Sequence, residues 1–335
     1  MDNKITKKRL SNFLSYEWIL MLVVTIAVII VWEMVYSLAS VKISTGQKFK
    51  FYYDEGVSPG TGNIYKVLED DKTFSYDIVT ISSESINSDF NVLETRLGIQ
   101  EGDAIFSNST VKEGNFVRTK NIIDKHNVYD FHTLLRDACD YVGENFLTDQ
   151  TIYPTHNGVT LAELNQKADI AGDFGNLEQS KIESFFLDRM KHDNRYRTEQ
   201  EKKEGKELEV NRIKKLCKDI ADFKIILNNH QDDGLLYKYT KYEQVCQEEN
   251  VDEIFKEGLE FEKNKGRENI AYGINLGKLL GEKNIHEYFH LVGKTTADNI
   301  VVSVFNFKTH QKHLQYEALS FINTLVRTFG DNIIN

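Results

Sequence analysis

"KFKFYYDEGVSPGTGNIYKVLEDD", residues 48–71, is the stretch whose reading decides the fold. In "KFKFYY" (48–53) charged and aromatic residues alternate with period two, the pattern of a half-buried strand. "DEGVSPGTGN" then supplies Gly, Ser and Pro, a turn signal. "NIYKVLEDD" reads as a short helix. The same alternation of types continues outward. "SYDIVTIS" (75–82) carries Ile78, Val79 and Ile81 in one apolar run and predicts a second strand. "SDFNVLETRLGIQEG" (88–102) predicts a helix, with Ser88 able to cap it and Gly102 just beyond its end. "DAIFSN" (103–108) predicts a third strand. A β-α-β-α-β order implies a parallel sheet covered by helices, an α/β fold.

On the N-terminal side lies "WILMLVVTIAVIIVWEMVYSLAS", Trp18 to Ser40. The fifteen residues from Trp18 to Trp32 carry no charge, and a Trp at each end suits the interfacial belt of a bilayer. Glu33 falls near the far headgroups. Lys4, Lys7, Lys8 and Arg9 precede the span, so positive-inside logic keeps the N-terminus cytoplasmic and exports the rest. The expectation is an uncleaved signal anchor. The rival is a signal peptide cut after Ala39, where "SLAS" supplies small residues.

Beyond the third strand the texture changes. Residues 128–146 and 176–229 read as helical, with 153–160 a loop or hairpin between them. Ile213, Leu216, Ile220, Phe223 and Leu227 form an apolar stripe at three- and four-residue steps, expected to pack onto the protein's own core. "EQEKKEGKELE" (199–209) mixes both signs and reads as a solvated face. "DNIVVSVFNF" (298–307) predicts a buried strand. "LQYEALSFINTLVRTFG" (314–330) predicts a closing helix with Leu319, Ile322 and Leu325 or Val326 inward and Gly330 at its stop. A net charge of −10 disfavours nucleic acid as a partner. Cys139, Cys217 and Cys246 are too widely spaced for a thiolate metal site or a C-x-x-C pair.

The opening strand "KFKFYYDEG", the second strand "YDIVTISSE", the step "LETRLGIQEGDAIFSN" and the closing unit "NIVVSVFNF…LQYEALSFINTLV" together resemble extracytoplasmic solute-binding proteins of ABC importers. That resemblance implies a two-lobe, periplasmic-binding-protein-like domain behind a membrane anchor. The expected boundaries are a cytoplasmic tail (1–16), a transmembrane anchor (17–40), an α/β lobe (41–110 plus 295–335) and a helix-rich second lobe (111–294). It also implies a small solute, or a transporter or membrane-complex subunit, as partner, with no catalysis and no cofactor. Open α/β sheets bind ligands outside the carboxyl ends of their strands. The candidate ligand-binding residues are therefore Tyr52, Tyr53 and Asp54, then Ser82 and Ser83, then Ser107 and Asn108. Both tryptophans, Trp18 and Trp32, fall in the apolar span, which leaves no indole for stacking on a sugar.

A competing reading comes from "NIHEYFHLVG" (284–293), which contains H-E-x-x-H. On a helix, His286 and His290 would share one face and bind zinc, with Glu287 as general base on the metal-bound water. Glu317 is the candidate third ligand, with His310 and His313 in reserve. The expected helix runs only from about Gly281 to Gly293 and leads straight into a strand. A membrane-anchored zinc metallopeptidase is thus the alternative to a binding protein, and a structural subunit of a membrane assembly is a third class.

Overall fold

The computed structural model describes residues 18–39, 47–86, 90–99, 101–110, 115–125, 127–147, 177–239 except 192 and 194, 270–306, and 314–334 except 332, with positions 7 and 11 alone near the start. The expected loop at 153–160, Cys246, His310 and His313 lie outside the described residues.

Two units are distinct, residues 1–42 and residues 43–335. The first holds α1 (Trp18–Ala39), 22 residues with no charge in its first or last turn. At 1.5 Å per residue it spans ~33 Å, enough for a bilayer core. Residues Trp18–Tyr36 are long and apolar enough to cross a membrane. Thr25 turns its hydroxyl back to the Met21 carbonyl, 2.8 Å away, so this polar group needs no outside partner.

The second unit is a mixed α/β fold around a six-stranded sheet of order β3-β1-β4-β8-β6-β5. Its strands are β1 (Lys48–Tyr53), β3 (Thr80–Ser85), β4 (Ala104–Asn108), β5 (Leu236–Lys238), β6 (Ala271–Asn275) and β8 (Ile300–Val304). β1 pairs in parallel with both β3 and β4, and β8, β6 and β5 continue antiparallel. The alternation in "KFKFYY" sorts its side chains between two cores. Phe49, Phe51 and Tyr53 join the core on one face, whereas Tyr52 joins the core on the other.

The first connection runs through α2 (Ile64–Asp70), whose Ile64, Val67 and Leu68 enter the core with Phe51. The second runs through α3 (Phe90–Gly98), whose Leu93 and Leu97 enter the core with Tyr52. The chain therefore steps from β1 to β3 over one face and returns past β1 to β4 over the other. Two crossovers of the same hand in opposite directions require opposite faces. The strand order reverses between β1 and β4, which is a topological switch point.

α4 (Asn115–Lys125) follows β4 and lends Ile122 and Ile123 to the Tyr52 core. The Phe51 face carries α5 (Phe131–Phe146), α6 (Gln179–Arg189), α7 (Glu199–Asn229) and α8 (Glu317–Phe329). Asp130 caps α5, and Thr198 with Glu201 forms a capping box on α7. The expected stripe Ile213, Leu216, Ile220, Phe223 and Leu227 is buried, as are Leu319, Ile322, Leu325 and Val326. Helices from 111–294 thus share one continuous core with strands from 41–110 and 295–335. The described residues place both stretches around one sheet, and no second large sheet stands opposite to form an interlobe cleft.

Two expected elements differ. The second strand starts at Thr80 rather than near Ser75, because Ile78 donates its N–H to the Ser75 carbonyl in a turn and Asp77 is drawn to Arg189 and Arg195. The helix expected from Gly281 to Gly293 is absent. Ile285–Glu287 is a single 3-10 turn capped by Asn284, and Phe289–Leu291 is a strand, β7. Phe289 and Leu291 are buried while His290 between them is not, a period of two that a helix cannot satisfy. β7 pairs antiparallel with β2 (Val57–Pro59).

Candidate functional site

The residues at the carboxyl ends of β1 and β4 converge at the switch point. Asp54, the first residue past β1, donates its N–H to the Phe106 carbonyl of β4, 2.9 Å away, and so stays in register with the sheet. Its carbonyl accepts the Val57 N–H at 3.0 Å, and Gly56 sits in that turn at φ +81°. A side chain at Gly56 would be strained there and would meet Asn108 Nδ2 at 3.0 Å. The turn reverses the chain immediately after Glu55 and holds Asp54 inside, 2% exposed.

Arg118, from the α4 helix that follows β4, closes on Asp54. Its Nε lies 2.9 and 2.8 Å from the two carboxylate oxygens and its Nη2 lies 2.6 Å from Oδ1, a fork-to-carboxylate pair. Nη1 reaches Glu55 Oε2 at 3.2 Å. Burial pushes the Asp54 carboxyl up, and the guanidinium opposes it. Burial would lower Arg118, but its bonds to Asp54 and that carboxylate's charge outweigh burial and hold it above its ordinary value. The geometry is that of an ion pair.

Asn108 ends β4, 3% exposed. Its Oδ1 accepts the Thr110 N–H at 2.9 Å and its carbonyl accepts the Thr119 hydroxyl at 2.8 Å. Ser109 donates both its N–H and its hydroxyl to the Asn299 carbonyl, which ties the strand end to the loop before β8. The Thr110 hydroxyl oxygen is buried with no hydrogen-bond partner among the described residues.

Of the residues expected to line a ligand site, Asp54 and Asn108 stand here, whereas Ser107 is buried within β4 opposite Val301. Tyr52 and Tyr53 do not: each is buried inside β1. Tyr52 donates to the Glu101 carbonyl at 3.0 Å, and the Tyr53 ring stacks on Phe106. Ser82 lies mid-strand opposite Lys50, because β3 continues to Ser85. Ser83 accepts the Tyr65 hydroxyl at 2.6 Å, a strand-to-helix tie on the Phe51 side of the sheet. Sequence reasoning missed Glu55, Thr110, Arg118 and Thr119. The usable signal was "VRT" (117–119) in the helix directly after the third strand, since such a helix leads away from the crevice and its first turns border it.

His286, His290 and Glu317 are not brought together, and no group of three or more His, Cys, Asp or Glu positioned for a metal occurs among the described residues. His286 Nδ1 accepts the Ala297 N–H at 2.7 Å, and His290 sits on β7 opposite Ser58. Glu317 is buried at the start of α8 and accepts the Ser75 N–H at 3.0 Å. Burial raises its carboxyl, with Arg212 opposing. It borders the network of Tyr76, Asp77, Arg189, Glu209 and Arg212 that binds the 71–78 loop to α6 and α7. The H-E-x-x-H segment instead clasps the loop after β1. The Tyr288 and Glu287 carbonyls accept the Gly60 and Gly62 N–H groups at 2.7 and 2.8 Å, and the Val292 N–H reaches the Gly56 carbonyl at 2.9 Å. Its work is to hold the loop that carries Asp54 and Glu55.

A concavity of about 700 Å³ lies between α6 and α7, bordered by Glu183, Leu187, Lys202, Lys206 and Val210. Its lining is largely charged, and charges there pair locally, Lys206 with Glu183 at 3.3 Å and Lys202 with Glu199 at 2.7 Å. The chain matches no known protein family, no curated protein and no solved structure.

Proposed function

We propose that this chain is a membrane-anchored, extracytoplasmic solute-binding-like protein, without catalysis. It holds a small polar solute at the switch point between β1 and β4 and presents it to a transporter or other membrane complex. The observation that carries the reading is the convergence of Asp54, Asn108 and Arg118, from separate elements, at the place where open α/β sheets bind ligands. The resemblance to solute-binding proteins enters as a single ligand crevice on one sheet. The anchor is α1, and the basic residues Lys4, Lys7, Lys8 and Arg9 before it support placing the N-terminus in the cytoplasm.

Full-length protein in detergent micelles, melted against neutral sugars, amino acids and small oxyanions, tests the binding claim. At least one class is expected to raise the melting temperature, and Asn108→Ala to abolish that rise. A flat response across all classes would overturn the reading. Sidedness is tested by a membrane-impermeant maleimide on intact cells. Glu282 is exposed and native Cys139 and Cys217 are buried, so Glu282→Cys in a Cys246→Ser background is expected to label from outside. Labelling only after lysis would reverse the orientation.

A further inference from the structure

We propose that the small cavity where the 71–78 loop meets α7 and α8 binds one ordered water molecule, which bridges the Ser75 hydroxyl to the Glu317 carboxylate. Ser75, Arg212, Lys215, Leu216, Glu317 and Ser320 bound this cavity. All of them but Lys215 are buried. The walls leave about 10 Å³ for the centre of a water to occupy, close to the least that admits one molecule and too little for two.

The Ser75 N–H donates to Glu317 Oε2 at 3.0 Å. Burial raises the Glu317 carboxyl, and Arg212 and then the nearby Ser75 hydroxyl oppose it. Yet the hydroxyl oxygen of Ser75 is buried and makes no hydrogen bond among the described residues. The polar neighbours spend printed bonds elsewhere. Lys215 Nζ donates to Asp219 at 2.7 Å and to Ser320 Oγ at 2.9 Å, and the Ser320 hydroxyl donates to Asp219. Arg212 donates to Glu209 at 3.0 and 2.8 Å and to the Tyr141 hydroxyl at 3.2 Å. None of these bonds reaches Ser75 Oγ. A buried hydroxyl in that position is unfavourable unless a third molecule completes it.

The chemistry of the walls selects that molecule. An apolar gap stays dry, whereas this one is mostly polar. Arg212 and Lys215 disfavour a bound cation, and the Glu317 carboxylate disfavours a bound anion. A neutral molecule that both donates and accepts is left, and the volume admits only water. It gives one hydrogen to Glu317 and takes the Ser75 hydroxyl proton, and its second lone pair suits the N–H donors of the cationic wall. The water then ties the loop to the first turn of α8 and to α7. This site is separate from the switch point and does not depend on the solute-binding reading.

The crystal structure of the full-length protein, at a resolution that shows ordered water, tests the site. Expected is one peak about 2.5–3.0 Å from both Ser75 Oγ and a Glu317 carboxylate oxygen. No peak there overturns the proposal. Thermal melts in detergent micelles give a second reading, by sign. Ser75→Val puts a methyl where the water lies and removes the hydroxyl. With a bridging water, that variant leaves Glu317 short of a partner, and its melting temperature falls by about 2–4 °C. In a dry cavity the added methyl fills space and the melting temperature rises, which would overturn the bridge even where a peak is seen. Ser75→Ala keeps the room and loses one bond, so a smaller fall is expected. It reports even where Ser75→Val fails to fold, and an unchanged or raised melting temperature in Ser75→Ala would also overturn the bridge.

Discussion

Asp103, at the threshold of β4, accepts the Lys50 N–H on Oδ2 at 2.7 Å while its own N–H donates to the Lys50 carbonyl. Burial pushes its carboxyl from 3.8 up to about 7, with the Lys50 bond opposing. The folded state therefore holds this proton more tightly than the unfolded chain does. Its contribution is fully present below about pH 4 and is lost as pH rises to about 7. The shift corresponds to ~4 kcal/mol, and partial solvent contact brings the effect to on the order of 2 kcal/mol. Asp103→Asn keeps an acceptor for Lys50 and removes the titration. Denaturant melts at pH 4 and 7 are expected to differ less in the variant by about that amount; equal pH dependence in both proteins would refute the assignment. At the same scale, removing Arg118 strands Asp54 as a buried, unpaired carboxylate. Arg118→Ala is expected to destabilise the fold by about 3–5 kcal/mol, read as a fall in the denaturation midpoint. His290→Ala is expected to leave the metal content of the purified protein unchanged, by elemental analysis, since His290 lies on a strand and Glu317 serves Ser75.

Elements were legible in the sequence where a pattern was long or local. β1 was read with its observed limits because its alternation is strict, and α8 because its inward residues recur over three turns. β3 was read some residues early because its start depends on Arg189 and Arg195, more than a hundred residues away, which hold Asp77 in the preceding turn. The H-E-x-x-H stretch was read as a helix because histidine spacing was given more weight than the alternation of Phe289 and Leu291, and only pairing with Val57–Pro59 decides between the two. That pairing makes its own prediction. A Cβ on Gly60 would lie 2.0 Å from the Glu287 carbonyl oxygen, so Gly60→Ala must part β2 from the 285–291 segment. The expected loss is about 1–3 kcal/mol, with faster amide exchange at 56–62 and 287–292. Unchanged exchange in both segments would contradict the clasp. Thr198→Ala removes one half of the α7 capping box and is expected to lower stability by about 1 kcal/mol, read from the same melts.

The whole molecule joins an apolar N-terminal helix to an α/β unit whose strand order reverses beside a buried Asp-Arg pair. The helix was legible from composition alone, because a bilayer selects for length and apolarity rather than for contacts. The parallel pairing of the first three strands was legible because β-α-β units pair in parallel; their order in the sheet was not. Of the switch point between β1 and β4, only the strand ends Asp54 and Asn108 were legible. Arg118 was not, since a single arginine on a helix carries no period and acquires meaning only when the fold sets it against Asp54. The two-lobe expectation went further than these residues show: α5, α6 and α7 cover one face of the same sheet. Hydrogen-deuterium exchange on full-length protein, with and without a saturating solute that stabilises it, tests the central claim most directly. The account predicts protection concentrated at 54–58, 107–110 and 118–119. Protection confined to the α6–α7 groove, or none at the switch point, would contradict it.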